Sequence, residues 1–203
     1  MPKSPLRIWA VCVAVSVLSS GCGLLPSVPR LANDVTFPPI EDLLLDESAF
    51  PLGWHASETG PRPVSEAPLG GRRSVESILL SYYDAPFEAQ VSAMEEIYRF
   101  KDPGDAAEYF QRRTETLFAE SELRDLRVWP EPLSALPLNT HQAQIGCDLA
   151  LAVTPMQGCI YIARYGLYVV LLDLDWVPEY AFEFSLAESI LLAIDDQLGA
   201  YGP

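Results

Sequence analysis

The run from Leu167 to Leu174, LYVVLLDL, constrains the fold more than any other stretch of the chain. Seven of its eight residues are apolar or aromatic, so both faces are apolar, which is typical of a strand buried on both sides of a sheet. The preceding segment, CIYIARY, is also strand-like, and Arg164-Tyr165-Gly166 predicts a turn between the two. The fold must therefore contain a sheet with this run at its centre.

Other segments supply the rest of the sheet. SVESILLSYYD and AQVSAMEEIYRF alternate with period two and predict two antiparallel strands joined around Asp84-Ala85-Pro86, although the second also has helix-forming composition. AQIGCDLALAV predicts another strand. Residues 122–140 contain three prolines, which predicts a loop or an interrupted edge strand.

Two segments predict helices. Asp102 is an N-cap candidate with Pro103 at the first helical position, which predicts a helix over residues 103–119. Near the C-terminus, Ser185 and Glu188 match a capping box before an apolar stripe that ends at Gly199. Together these elements predict an α+β fold, with one domain in which an antiparallel β-sheet packs against two main helices.

The N-terminal residues indicate export. Lys3 and Arg7 precede an apolar run of about 11 residues, which is shorter than the roughly 20 that a membrane-spanning helix needs. A basic start, a short apolar core and small residues before Cys22 are typical of a secretory signal.

The sequence Leu18-Ser19-Ser20-Gly21-Cys22 resembles the lipobox of bacterial lipoproteins, in which the signal is removed and the cysteine is acylated. This resemblance implies a signal peptide at residues 1–21 and lipid attachment at Cys22, palmitate being a typical acyl group, with an ordinary cleaved signal as the alternative. Acyl chains would anchor the protein to a lipid bilayer, on the extracytoplasmic side of the cell membrane or the outer membrane. Prolines in residues 22–40 predict an extended tether, which leaves residues 41–203 for the domain.

Two cysteines remain in the predicted domain, Cys147 and Cys159. In an exported protein such a pair predicts a disulfide. The expected turn residues, 154–158, are not midway between them, so the bond is expected to be diagonal or to close a bulged loop. A redox-active pair and a zinc site are the poorer alternatives, because the spacing is not Cys-x-x-Cys and only His55 and His141 could complete a zinc site.

The net charge of the chain limits the classes of molecule that it is expected to bind. The chain has 13 Lys and Arg against 28 Asp and Glu, a net charge of −15. Nucleic acid is therefore not expected as a partner, since phosphate binding needs a basic face. Folded acidic domains are also poor ligands for anionic lipid headgroups.

Segments from LLLDESAFPLGW to SLAESILLAIDDQL together resemble a set of uncharacterised bacterial lipoproteins and, more distantly, extracellular sensor-type domains and lipoproteins of actinobacteria. This resemblance spans most of residues 41–199. It implies that a cleft binds a ligand or partner, and it carries over no catalytic residues.

Few residues suggest catalysis, and no cofactor motif is present. Asp173 and Asp175 are two apart in a strand, so they share a face and are candidates for a ligand site, a cation site or an acid and base pair, although solvent exposure at a strand end is the simpler interpretation. Solvent exposure is likewise expected for Glu95-Glu96 and Asp195-Asp196. Seven tyrosines in or beside the predicted sheet and helix are candidates for lining a groove, although a half-buried position at the sheet edge is more usual.

These observations predict a non-enzymatic, lipid-anchored binding module for a small molecule or an envelope protein. A carboxylate-dependent hydrolase and a purely structural envelope component are the alternatives.

Overall fold

A seven-stranded antiparallel sheet organises the described part of the chain, in the order β1-β2-β3-β7-β6-β5-β4. The computed structural model describes residues 37–64, 74–84, 91–120, 127–128, 133, 135–148, 157–176 and 184–203. These residues belong to one compact unit, Phe37–Pro203. Cys22, the predicted signal and residues 22–36 of the predicted tether lie outside the described residues.

The strands follow the sequence patterns closely. They are β1 (Trp54–Ala56), β2 (Glu76–Asp84), β3 (Val91–Arg99), β4 (Arg127–Val128), β5 (Gln142–Asp148), β6 (Gln157–Tyr165) and β7 (Tyr168–Trp176). The prediction that the LYVVLLDL run is central is confirmed, because β7 pairs with β3 on one side and with β6 on the other. The prediction of strand rather than helix for AQVSAMEEIYRF is also confirmed.

Two main helices, α1 (Pro103–Glu120) and α2 (Phe184–Leu198), pack on opposite faces of the sheet, which confirms the predicted α+β class. On the α2 face, inward residues of β2, β3, β5, β6 and β7 form the larger core with Ala187, Ile190, Leu191, Ile194 and Leu198. On the α1 face, Ala106 and Phe110 pack against Tyr98, Ile162 and Val169. Among the described residues, no helix has the length and hydropathy needed to cross a bilayer.

Both helix starts can be compared with the sequence. Asp102 caps α1 as predicted, because its Oδ1 accepts a hydrogen bond from the backbone N–H of Asp105 at 2.9 Å. Helix α2 instead begins at Phe184, so Ser185 lies within its first turn rather than at the N-cap. The end of α2 at Leu198, directly before Gly199, is as predicted.

An N-terminal strap, residues 40–50, runs between the sheet and α2. It consists of two short 3-10 turns, Ile40–Leu43 and Glu47–Ala49, and Asp46 caps the second by accepting from the N–H of Ser48 at 2.8 Å. Ile40, Leu43, Leu44 and Leu45 are buried in the larger core. The compact unit thus begins at Phe37, four residues before the boundary that the proline pattern suggested.

The disulfide joins Cys147 and Cys159, and the expectation of a diagonal or bulged arrangement is wrong. The two residues are direct partners in the β5–β6 pairing, with Cα atoms 4.0 Å apart. That spacing suits a non-hydrogen-bonded pair, where opposite side chains come closest. The error arose because β6 begins at Gln157, so residues taken for the turn, Gln157 and Gly158, belong to the strand.

Candidate functional site

Asp173 and Asp175 lie near one end of β7 and, as predicted, on the same face, the α1 face. Asp173 is opposite Met94 and Ile160, and Asp175 is opposite Ser92 and Gly158. Both aspartates are half-buried, so neither projects freely into water. Within the described ranges, no group of three or more His, Cys, Asp or Glu residues is arranged to hold a metal ion.

The carboxylate of Asp175 lies over Gly158 on the neighbouring strand. A Cβ atom added to Gly158 would be 2.9 Å from Asp175 Oδ1 and 3.0 Å from the carbonyl oxygen of Leu174. Glycine at this position therefore leaves the space that the Asp175 side chain occupies. This packing fixes Asp175 against the sheet.

Three other carboxylates are buried, and the expectation that they are solvated is wrong. Glu95, Glu96 and Asp195 are 1%, 7% and 5% exposed. Each accepts a hydrogen bond from a buried tyrosine: Tyr82 for Glu95, Tyr98 for Glu96 and Tyr165 for Asp195. Tyrosine hydroxyls thus provide the polar contacts that buried carboxyl groups require.

These contacts also correct the interpretation of the tyrosines. Five of the seven, Tyr82, Tyr98, Tyr161, Tyr165 and Tyr168, are at most 3% exposed, so they belong to the core rather than to a groove or a half-buried sheet edge. The other two, Tyr83 and Tyr109, are half-buried, as expected. Burial raises the pKa of Tyr82, Tyr98 and Tyr165 above its usual value. They therefore act as neutral hydrogen-bond donors over the physiological pH range.

Asp195 connects α2 to the chain before β5. Its Oδ1 accepts from the backbone N–H of Asn139 at 2.7 Å and from the Tyr165 hydroxyl at 3.2 Å, and its Oδ2 accepts from Asn139 Nδ2 at 2.9 Å. Tyr161 lies 3.3 Å from the Tyr165 oxygen and, since Tyr165 donates to Asp195, serves as its donor. Both oxygen atoms of the carboxylate therefore accept hydrogen bonds that join elements of the fold.

Glu95 connects the sheet to the N-terminal strap. Its Oε2 accepts from the backbone N–H of Leu45 at 2.9 Å and lies 3.2 Å from the hydroxyl of Tyr82. Burial raises the pKa of Glu95 to about 7, while the bonds from Leu45 and Tyr82 act in the opposite direction. Sequence analysis missed the role of Glu95. Tyr82 lies beside Glu95 only because of the register between β2 and β3, and that register is set by the folded hairpin.

The strap and α2 together form a groove on the surface. Two neighbouring clefts of about 570 and 620 Å³ share Ser48, Ala49 and Ser189, and so form one groove along α2. Its other walls are Leu45, Asp46, Phe50, Pro51, Ser185, Leu186, Leu192, Ala193, Asp196 and Gln197. Small side chains keep the groove open, and hydroxyl groups and Asp196 supply hydrogen-bonding positions along it.

The elements that form this groove carry negative charge only. Residues 37–56 and 184–203 contain seven Asp and Glu and neither Lys nor Arg, His55 being their one basic side chain. Asp46, Glu47, Glu188 and Asp196 are exposed, whereas Asp195 is buried. The groove therefore presents an acidic surface with an apolar floor.

A further cleft of about 470 Å³ lies beside the start of β2. It is lined by Ile40, Glu41, Pro61, Pro63, Val64 and residues 74–78. Val75 is 60% exposed there. Pro61 and Pro63 cannot donate backbone hydrogen bonds, but Glu41, Ser74, Glu76 and Ser77 supply polar groups to this cleft.

Among the described residues, His55 and His141 do not form a metal-binding group with Cys147 and Cys159. His55 lies 3.7 Å from Glu47, and His141 Nδ1 accepts from the N–H of Gly166 at 3.2 Å. Cys147 and Cys159 are already joined to each other. The prediction of a disulfide, rather than a zinc site, accounts for these two cysteines.

Comparisons with known proteins place the chain near no characterised protein. No known protein family matches it, and no curated protein does. A crystal structure from Bacteroides thetaiotaomicron is similar with a TM-score of 0.35 and 12% identity, over 71% of this chain and 41% of that one. The chain thus corresponds to less than half the length of that protein.

Proposed function

We propose that this protein is a membrane-anchored, extracytoplasmic binding module whose groove along α2 receives a segment of an envelope protein. Anchoring is through acyl chains on Cys22, in the cell membrane or the outer membrane. The observation that carries the proposal is the groove itself, which has an apolar floor, hydroxyl groups on its walls and an acidic rim.

The dimensions of the groove suit a peptide segment. From Ser185 to Gln197 the helix rises about 18 Å, enough for five or six extended residues. Each cleft also has a volume typical of small-molecule sites, about 300–1,000 Å³, so a small ligand is the second occupant to test. The continuity of the two clefts along α2 favours an elongated occupant.

Charge favours a particular kind of segment. Asp46 and Asp196 line the groove, and the strap and α2 contain neither Lys nor Arg. A segment that alternates basic and apolar side chains therefore complements both rim and floor. Acidic segments would be repelled.

The disulfide supports the location. Paired cysteines persist in secreted and surface proteins and are rare in the cytosol. The short apolar run before Cys22, which is typical of a secretory signal, also supports an extracytoplasmic location.

A photo-crosslinking residue at Ser189, inside the groove, tests the proposal in host membranes. A matched control has the same residue at Gln111, which is exposed on α1. We expect Ser189 to capture a protein through a basic and apolar segment, and we expect Ala49→Trp, which fills the groove, and Asp196→Arg, which reverses its charge, to reduce the capture at least tenfold.

Equal capture from Gln111, or capture unchanged by Ala49→Trp, would overturn the proposal. An adduct below about 1 kDa in the native mass of the purified protein, lost in Ala49→Trp, would instead assign the groove to a small ligand.

A carboxylate-dependent hydrolase is the alternative, and the observation that favours it is the shared face of Asp173 and Asp175. This alternative requires that Asp173→Asn with Asp175→Asn abolish turnover in a screen of ester, peptide and glycoside substrates. Persistent turnover in the folded double variant, or none in the wild type, removes it.

A further inference from the structure

Among the described side chains of β3, Glu95 is the one that hydrogen-bonds the strap. It sits mid-strand on the α2 face, between Leu80 of β2 and Leu172 of β7. Its Oε2 accepts from the N–H of Leu45, and the Tyr82 hydroxyl beside it reaches the carbonyl oxygen of Leu45 at 2.7 Å. Both backbone polar groups of Leu45 are therefore held by this pair of side chains.

The hydrogen atoms in this cluster can be counted. Tyr82 has one hydroxyl proton and two acceptors in reach, Leu45 O at 2.7 Å and Glu95 Oε2 at 3.2 Å. The single hydroxyl proton is shared between these two acceptors, and the shorter distance favours Leu45 O. An ionised Glu95 would draw this proton towards its carboxylate and leave the Leu45 carbonyl without its hydrogen bond.

The described elements around Glu95 supply no Lys or Arg to stabilise its ionised form. The strap, β2, β7 and α2 contain neither Lys nor Arg. On β3 itself, Arg99 is four residues away and pairs with Glu76. The other Glu95 oxygen, Oε1, is buried and has no hydrogen-bond partner among the described residues.

We propose that Glu95 is protonated in the folded protein and clamps the strap, so that loss of its proton loosens the strap and with it one wall of the groove. A buried carboxylate without a counter-ion must be hydrated, and water reaches it by displacement of the residues above it. Those residues belong to the strap. The clamp's effect on binding rests on the proposed function, but its test needs no ligand.

The direction of the pH effect follows from the state of Glu95. Burial raises its pKa from 4.5 to about 7. The clamp is therefore intact at mildly acidic pH and is released as pH rises through neutrality. Among the described side chains, the strap carries the other titratable groups Glu41, Asp42, Asp46 and Glu47, with His55 3.7 Å from Glu47. Strand β2 carries Glu76, Tyr82 and Tyr83, β7 carries Tyr168, Asp173 and Asp175, and α2 carries Glu188, Asp195 and Asp196.

Two NMR measurements on the soluble domain with its disulfide intact test the clamp. The first follows the side-chain carboxyl carbon of Glu95 through a pH titration, and a midpoint near 7 is expected. The second compares the exchange protection of the Leu45 amide, corrected for intrinsic rates, at about pH 5.5 and about pH 8. We expect protection to fall at least tenfold in the wild type.

Three variants test whether Glu95 causes the fall in exchange protection of the Leu45 amide. Glu95→Gln keeps a neutral donor and acceptor, so its Leu45 protection should not change with pH. Glu96→Gln, the neighbouring buried carboxyl on the opposite face, and His55→Gln, on the strap side, should both retain the wild-type fall.

A Glu95 midpoint below about 5, close to the ordinary carboxyl value, would overturn the proposal, and this wild-type measurement holds even if a variant does not fold. An equal fall in Glu95→Gln, or loss of the fall in His55→Gln, would also overturn it. Neither result depends on whether the groove binds a partner.

Discussion

The hydroxyl of Tyr165, on β6, donates to Oδ1 of Asp195, on α2, across 3.2 Å of buried space. Because Asp195 also accepts two bonds from Asn139, this one side chain joins the sheet, the C-terminal helix and the approach to β5. Its neighbour Asp196 is exposed. The pair offers a matched test of what burial does to an aspartate.

Asp195→Ala should lower the free energy of unfolding by roughly 1–3 kcal/mol, because it removes the acceptor of the buried Tyr165 hydroxyl and of two donors on the more exposed Asn139. Asp196→Ala should change it by less than about 0.5 kcal/mol. Urea unfolding monitored by fluorescence measures both. Similar values for the two variants would show that the Asp195 contacts are not required for stability.

The disulfide should contribute roughly 3 kcal/mol in the chain-entropy model for a loop with a sequence separation of 12. Cys147→Ser with Cys159→Ser should therefore shift the urea midpoint down without changing the fold seen by circular dichroism. The reduced wild type is the control, and it should unfold at the same urea concentration as the double variant. An unshifted midpoint would contradict the expected contribution.

The unfolding free energy should also depend on pH through Glu95. Its folded pKa of about 7 lies above the usual 4.5, so the unfolded chain releases this proton first as pH rises. Stability relative to Glu95→Gln is therefore lost progressively between those values, by up to roughly 3 kcal/mol, and is constant above them. Parallel pH profiles for the two proteins would contradict this.

Substitution of two glycines that have positive φ separates the energetic cost of the backbone conformation from the cost of a steric clash. Gly60 (φ 64°) has open space where a Cβ would lie, whereas a Cβ on Gly166 (φ 59°) would be 2.6 Å from the carbonyl oxygen of Tyr201. Gly60→Ala should cost about 1 kcal/mol, from the left-handed conformation alone. Gly166→Ala should cost more by about 1–3 kcal/mol, and thermal unfolding of both variants measures the difference.

Lipid attachment at Cys22 can be tested by mass spectrometry and by cell fractionation. Protein purified from host membranes should have the mass of residues 22–203 plus acyl chains, and Cys22→Ala should appear in the soluble fraction. Reduction should add about two hydrogen atoms from the Cys147–Cys159 bond. An unlipidated wild-type mass would contradict the anchor.

Local patterns predicted the secondary structure well because their physical causes are local. Asp102 and Pro103 mark the start of α1, and the apolar run of β7 reflects burial on both faces. Ile78, Leu80 and Tyr82, which alternate along the predicted strand SVESILLSYYD, all lie in the larger core. Each of these signals depends on neighbouring residues in the chain.

The misinterpretations concern residues whose surroundings are set by distant pairing. The sequence pattern predicts Glu95 and Glu96 in water, yet the strap and α2 cover one face of β3 and α1 covers the other, so both carboxyl groups are buried. The opposite placement of α1 and α2 is likewise a property of the whole sheet. Asp173 and Asp175 were correctly placed on one face, because that relation follows from strand periodicity alone.

The position of β7 also affects how the chain reaches its fold. The last strand in the sequence inserts between β3 and β6, and β3 precedes it by about 70 residues, a separation that favours slow folding. Until Tyr168–Trp176 has been synthesised, β3 has an unpaired edge. The sheet is therefore continuous only when β7 has paired with both β3 and β6, so the strand that joins its two halves lies in the middle rather than at a border.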